Sequence, residues 1–276
     1  MNNGFHDENL VKNGRLPAMM HVPVLMYHRI CKPAEVSAGN DYVVSTEVFE
    51  RQLQYFAHRG YQTPPIDDLL NSKRHGPFTG KPLVITFDDG YLDTLENAAP
   101  LLIKYGFSAI VFVISDFSRQ NNWWDLPYNM AEARLMNEEQ VMRIRDFGIE
   151  IGSHGWSHRS LPLLKDDELA EELHHSKQIL EKLLNKPVRF FAYPYGEVDE
   201  RVAAFAEKSG YQCAFATNYG PWSFFGDLFQ IRRTLISNRA DALYLNFKLS
   251  GAEKGVRWMW SVTKQIVGRK PQYNVR

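Results

Sequence analysis

Short apolar runs alternate with longer amphipathic stretches along the 276 residues of the chain. Residues 22–27 form the first run and predict a buried strand. In residues 45–59, Phe49, Leu53 and Phe56 fall at i, i+4 and i+7, Ser45 offers a cap, Glu47 lies in the first turn and Gly60 ends the period; this predicts a helix. Residues 83–87 are apolar or β-branched throughout, predict a second buried strand, and stop abruptly at Asp88-Asp89-Gly90. A helix to Tyr105, closed by Gly106, leads to a strand at 109–114 and then to a polar loop holding Trp123 and Trp124. Asn137 caps a helix over 137–147, with Glu138 and Glu139 at its positive end. Strand 149–151, a long helix 166–184 with Leu169, Leu173, Leu180 and Leu183 on one face, strand 189–192, a helix ending near Gly210 and strand 213–217 continue the series. This order implies a parallel sheet with crossover helices, either open and doubly wound or closed as a barrel. Both architectures place chemistry in the loops after the strands' C-terminal ends, where the polar clusters of this chain fall.

Composition narrows the partners more than the fold. Lysine plus arginine equals aspartate plus glutamate at 32 each, so no overall field points to nucleic acid or an acidic polymer, and a neutral substrate suits the chain best. Residues 1–20 contain no apolar core that a secretion machine would recognise, and no apolar run approaches the length of a membrane span; the expectation is a cytoplasmic protein. Cys31 and Cys213 lack the spacing of a redox pair or zinc knuckle and read as incidental thiols. Three regions are expected: an N-terminal extension over 1–20, a domain over 21–240, and a basic C-terminal segment over 241–276. In the last, Trp258, Trp260, Val262 and Ile266 are interleaved with lysines and arginines. A helix on the inner face of an anionic membrane, a helix packed on the domain and a frayed tail all fit it.

Two segments carry the candidate chemistry. Asp88-Asp89-Gly90 taken alone is sufficiently explained as a turn. His154 and His158, in Gly152-Ser153-His154-Gly155-Trp156-Ser157-His158, stand four apart among glycines that disfavour a regular helix, and spacing alone does not make them ligands. Together the segments say more, because both follow strands in a fold whose strand ends converge. One carboxylate and two imidazoles make a three-ligand set with open positions, and the second carboxylate supplies a base for hydrolysis. A third segment, Phe191 to Gly196, ends another strand with Tyr193, Pro194 and Tyr195, where aromatic faces suit either sugar stacking or plain packing.

These residues resemble the NodB-homology polysaccharide deacetylases of carbohydrate esterase family four. The matching motifs are Thr86-Phe87-Asp88-Asp89-Gly90, then Gly152-Ser153-His154 through His158, then Phe191 to Gly196 with its Pro-Tyr-Gly ending. The resemblance implies an α/β fold, a distorted (β/α) barrel of about seven parallel strands, and a divalent metal ion, usually zinc. On the matching positions Asp89, His154 and His158 become metal ligands and Asp88 the general base. The implied reaction removes an N-acetyl, less often an O-acetyl, group from an acetylated saccharide. A related amidohydrolase acting on a small amide and a non-catalytic carbohydrate-binding relative are the alternatives.

Departures from the family pattern shape the remaining expectations. Ala192 stands where the family often has an arginine that orients the base, leaving Arg233 or Arg189 as substitutes. Gly155 replaces the serine or threonine that usually follows the first histidine. No late Leu-x-His segment supplies a general acid, and all nine histidines lie at or before position 175. His28, in Met26-Tyr27-His28 at the end of the first strand, is therefore the expected acid, an arrangement similar to the branch that deacetylates poly-N-acetylglucosamine. Tyr195, Pro194, Trp156 and Arg233 are the expected substrate contacts.

Overall fold

The computed structural model describes residues 22–36, 39–70, 80–128, 131–217 and 227–249. The N-terminal extension and most of the basic C-terminal segment lie outside the described residues. Strands β1 (Val24–Tyr27), β2 (Val84–Phe87), β3 (Ile110–Val113), β4 (Glu150–Ser153), β5 (Phe190–Ala192), β6 (Cys213–Ala216), β7 (Ile231–Arg232) and β8 (Thr234–Leu235) form one parallel sheet. Its order is β7-β6-β5-β4-β3-β2-β1-β8. The two edges belong to one stretch of chain: Ile231 and Arg232 pair with Phe215 and Ala216, while Thr234 and Leu235 pair with Leu25 and Met26. A single residue, Arg233, separates them, so this segment brings the first and sixth strands around into a nearly closed barrel. Eight strands by pairing are thus seven segments of chain, as the resemblance implied.

Alternate strand residues divide between two apolar clusters, as the period of two requires. Leu25, Tyr27, Ile85, Phe87, Val111, Val113, Ile151 and Phe191 pack outward with residues of the surrounding helices. Val24, Val84, Ile110, Phe112, Phe190, Ala192, Cys213, Phe215 and Ile231 fill the barrel. This parity decides the site, because Asp88 continues the inward series of Val84, and Arg233 that of Ile231. Gly152 lies on the same inward face; a Cβ there would come within 2.4 Å of the Phe112 ring and 3.0 Å of Phe190 O. Gly152→Ala is therefore expected to destabilise the protein by about 1–3 kcal/mol through overpacking, read as a lower denaturation midpoint at constant m-value; an unchanged midpoint would show that the barrel has slack at this level.

Helices α1 (Thr46–His58), α2 (Ala99–Tyr105), α3 (Glu138–Asp146), α4 (Asp166–Leu184), α5 (Glu200–Lys208) and α6 (Ala242–Leu249) surround the barrel. Local chemistry sets their ends. Ser45 accepts from Val48 N, and Asn137 and Gln140 form a reciprocal capping box. Asn185 and Gly106 close α4 and α2 in left-handed conformations. The helix expected after Gly90 is broken instead: residues Thr94–Ala98 form a π-turn before α2. Pro100, in the first turn of α2, has no N–H to give to the carbonyl four residues back, which favours a change of register there. Leu245 and Leu249 of α6 join the main core, so the chain packs on the domain at least to Leu249. Among the described residues no helix is long and apolar enough to cross a membrane.

Candidate metal centre and base

Parallel register carries three chemical side chains, His28, Asp88 and His154, to one level. Tyr27 pairs with Phe87, so the next residues, His28 and Asp88, emerge side by side, and Asp88 N–H donates to Tyr27 O at 3.0 Å. Val113 pairs with Ser153 and Ser153 with Phe191, which puts His154 at the corresponding mouth position. Neighbours on a strand face opposite ways, so two adjacent carboxylates can share a site only if the strand breaks between them. It does: Asp89 has φ 70° and Gly90 φ 74°, a left-handed pair that aspartate and glycine tolerate better than most residues.

Asp89, His154 and His158 offer ligand atoms within 4.8 Å of one another, and all three side chains are buried. Asp89 Oδ1 lies 3.2 Å from His154 Nε2 and 3.3 Å from His158 Nε2, yet it is buried without an aligned hydrogen-bond partner. A carboxylate oxygen and two ring nitrogens that crowd together without bonding to each other fit a shared cation. That donor set suits zinc and other borderline divalent ions. Burial alone would raise Asp89, but the two adjacent imidazoles hold it well below the usual carboxylate range. Burial likewise opposes the His154 cation, and the neighbouring Asp89 and Asp88 outweigh it and raise its pKa. His154 Nδ1 meets Ala192 O at 2.8 Å, which fixes the ring with Nε2 toward the site.

Of the two arginines expected to substitute at position 192, Arg233 is the one that contacts Asp88. Its Nη1 and Nη2 donate to Asp88 Oδ1 and Oδ2 at 2.6 and 2.7 Å, a two-pronged clamp, and Nη1 also donates to Thr86 Oγ1 at 3.2 Å. Burial favours the neutral form of Asp88, but the Arg233 charge reverses this and lowers its pKa. The expectation that Arg233 contacts substrate is corrected: its side chain is 0% exposed and faces Asp88 from inside the barrel. Arg189, the other candidate, is at the opposite end of the barrel, pairing with Asp67 at 2.5 Å just before β5.

The aromatic expectations separate likewise. Tyr195 is 51% exposed, has φ 60°, and its ring stands 4.6 Å from that of His158. Pro194 is buried beneath Gly155 and so is not available to a sugar. Trp156 turns its ring onto His175 of α4, 4.9 Å away, on the helix side of the loop. Trp124 takes the place expected of Trp156, lying 4.2 Å from His158 at a 30° tilt. Beside it, half-buried Asp125 accepts from Tyr91 Oη at 3.3 Å and Asn122 Nδ2 at 3.2 Å. A tryptophan pair in a polar loop after a strand was the one sequence signal for this wall.

His28 lies in the electrostatic reach of Asp88 and Asp89, with its ring edge-on to Tyr42 at 4.7 Å. Its Nδ1 is buried without a hydrogen-bond partner, and burial pushes its pKa down against the pull of the two carboxylates. The chain beyond it is pinned by Asp93, which accepts from Arg29 Nε at 2.9 Å and Ile30 N at 3.2 Å. Cys31 and Cys213 are separate buried thiols.

The chain is similar to known polysaccharide deacetylases. The polysaccharide deacetylase family model matches residues 75–214, which contain both metal-site segments. YxkH of Bacillus subtilis (strain 168), whose name places it among polysaccharide deacetylases, is 30% identical over 78% of this chain and 71% of its own. A poly-beta-1,6-N-acetyl-D-glucosamine N-deacetylase of Staphylococcus epidermidis is 25% identical over 78% of this chain and 79% of its own. Among solved structures, the Streptococcus pyogenes deacetylase PplD in complex with acetate superposes with a TM-score of 0.71 at 25% identity, covering 83% of this chain and 97% of that one. With half of the chain matched by the family model and its Asp-His-His triad assembled at the barrel mouth, the chain belongs to the polysaccharide deacetylase family.

Proposed function

We propose that this protein hydrolyses N-acetyl groups from a glycan or lipid-linked saccharide in envelope or exopolysaccharide metabolism. The observation that carries the reading is the buried triad of Asp89, His154 and His158 beside an Asp88 that Arg233 clamps at both oxygens. Asp89, His154 and His158 would hold a divalent metal ion, zinc first among the candidates. Bound there, it would acidify the attacking water to a pKa of roughly 7 and polarise the acetyl carbonyl, so that even a weakly basic carboxylate is an adequate proton acceptor.

Asp88 accepts the proton of the attacking water, and Arg233 keeps it ionised and aimed. His28 gives a proton to the departing sugar nitrogen. Tyr195, exposed beside His158, offers an aromatic face to a sugar ring at the mouth. Substrate class follows the Staphylococcus epidermidis relative: a polymer of β-linked N-acetylglucosamine.

The test is acetate release from poly-N-acetylglucosamine and chitooligosaccharides, compared with small N-alkyl acetamides, by protein loaded with zinc or stripped by chelator. Saccharide turnover that disappears on stripping and returns with metal is expected. His154→Ala should bind no stoichiometric zinc and release no acetate. Turnover by stripped protein, or of small amides alone, would overturn the reading.

His28→Ala is expected to lower kcat by roughly 10²- to 10⁴-fold with zinc content unchanged, the usual range for a lost proton donor. The acid must be protonated to act, so wild-type kcat/KM should fall as pH rises through the His28 pKa. Burial places that limb below an ordinary histidine's position. A variant that keeps the wild-type rate and the same alkaline limb would remove His28 from the mechanism.

A further inference from the structure

The two histidines of the triad are held in place by different means. His154 is oriented by its contact with Ala192 O at 2.8 Å. His158 has no such contact: its Nδ1 is buried without a partner, and its backbone adopts φ 56°, a costly left-handed conformation for a non-glycine residue. The rings of Trp124 and Tyr195 flank it at 4.2 and 4.6 Å and limit its tilt. They do not set where its backbone lies.

The backbone is set by the three residues between the histidines: Gly155 O and Trp156 O accept from Ser115 N–H at 3.2 Å and Asp116 N–H at 2.9 Å, and the amides that lead into His158 are held from α4. Glu172 is 2% exposed and points from that helix toward the loop. Its Oε2 accepts from Trp156 N–H at 2.9 Å and Ser157 N–H at 3.0 Å, and its Oε1 accepts from Ser157 Oγ. Successive N–H groups converging on one carboxylate oxygen make an anion-holding concavity in the backbone. Gly155 turns the chain at φ 81°, a left-handed conformation that favours glycine, and a Cβ there would meet Glu172 Oε2 only at ordinary contact distance, 3.4 Å.

We infer that Glu172 is the positioning residue for His158: by gripping the 156–157 amides it presents the His158 imidazole to Asp89 and so sets the metal affinity of the triad. The inference rests on the metal-site reading above. A purely structural role would also satisfy these amides, but it would not tie metal affinity and coordination geometry to the carboxylate's shape.

The measurements are zinc affinity by chelator competition, the visible absorption spectrum of the cobalt(II) form, and thermal melting of the metal-free protein, all on the full chain. Folded Glu172→Ala is expected to lose about 10- to 100-fold in zinc affinity, as removal of outer partners of a ligand typically does, with an altered cobalt spectrum. Glu172→Gln keeps volume and one oxygen for the two amides and should recover most of the affinity and the wild-type spectrum. Should Glu172→Ala fail to fold, Ser157→Ala removes one of the three bonds and should weaken zinc binding in the same direction. Overturning results are a folded Glu172→Ala, or in its place Ser157→Ala, with wild-type affinity and spectrum, or a Glu172→Gln as weak as the alanine variant. Failure of the wild type itself to bind zinc would sink the metal-site reading instead, a distinct outcome.

Discussion

Asp88→Asn is expected to retain stoichiometric zinc while losing roughly 10²- to 10⁴-fold in kcat, the range typical of a removed general base. Retention follows from geometry, because the convergent ligand atoms come from Asp89, His154 and His158, and Asp88 is turned to Arg233. The lost rate follows because an amide cannot take a proton from water. The amide oxygen still accepts from one Arg233 N–H, but the amide NH2 faces the other and the buried guanidinium loses its counter-charge, so the melting temperature should drop clearly while the isosteric side chain keeps the fold. His154→Ala is the informative contrast, losing metal and activity together. Full acetate release by Asp88→Asn would return this residue to the turn-forming role that Asp88-Asp89-Gly90 has when considered alone.

The strands were legible because each is buried on both faces, which gives apolar runs too short for helices and bounded by turn residues. The same double burial hid their parity: residues 83–87 carry no alternation that says which side faces the barrel, so the inward direction of Asp88 came only from the packing. The helices α1, α3 and α4 were legible to within a residue or so, through their caps and apolar faces. Residues 231–235 were not recognised as strand at all. Two pairs of strand residues on either side of Arg233 have no apolar run, and their pairing depends on partners 16 and 209 positions away in sequence. The convergence of Asp89, His154 and His158 was legible as a pair of motifs after strands. Glu172 and Trp124 were not, because a glutamate in an amphipathic helix and a tryptophan in a loop acquire their roles only when the mouth is assembled.

Arg233→Met should have the largest effect on stability. Methionine fills much of the space of the guanidinium stem but leaves Asp88 buried and unpaired, and breaking one side of a buried ion pair costs about 3–5 kcal/mol. Burial, no longer opposed by the arginine, then raises the Asp88 pKa from its depressed value. As the proposed base, Asp88 would work only when ionised, and in the wild type it would stay ionised to below the usual carboxylate range. In the variant kcat/KM should instead fall at a higher pH as the medium is acidified. Stability should shift in the matching sense: the wild type gains from the ionised pair above the unfolded carboxylate pKa and loses that gain as pH falls through the depressed folded value, whereas the variant is least stable at neutral pH, where an ionised Asp88 has no partner, and improves on acidification. Combining Arg233→Met with Asp88→Asn removes both charges and should recover part of the lost stability without any activity, the non-additivity expected of a directly bonded pair. If the two substitutions instead add, and the acid limb of the single variant does not move, Arg233 does not control the base, and the arginine missing at position 192 has no replacement here.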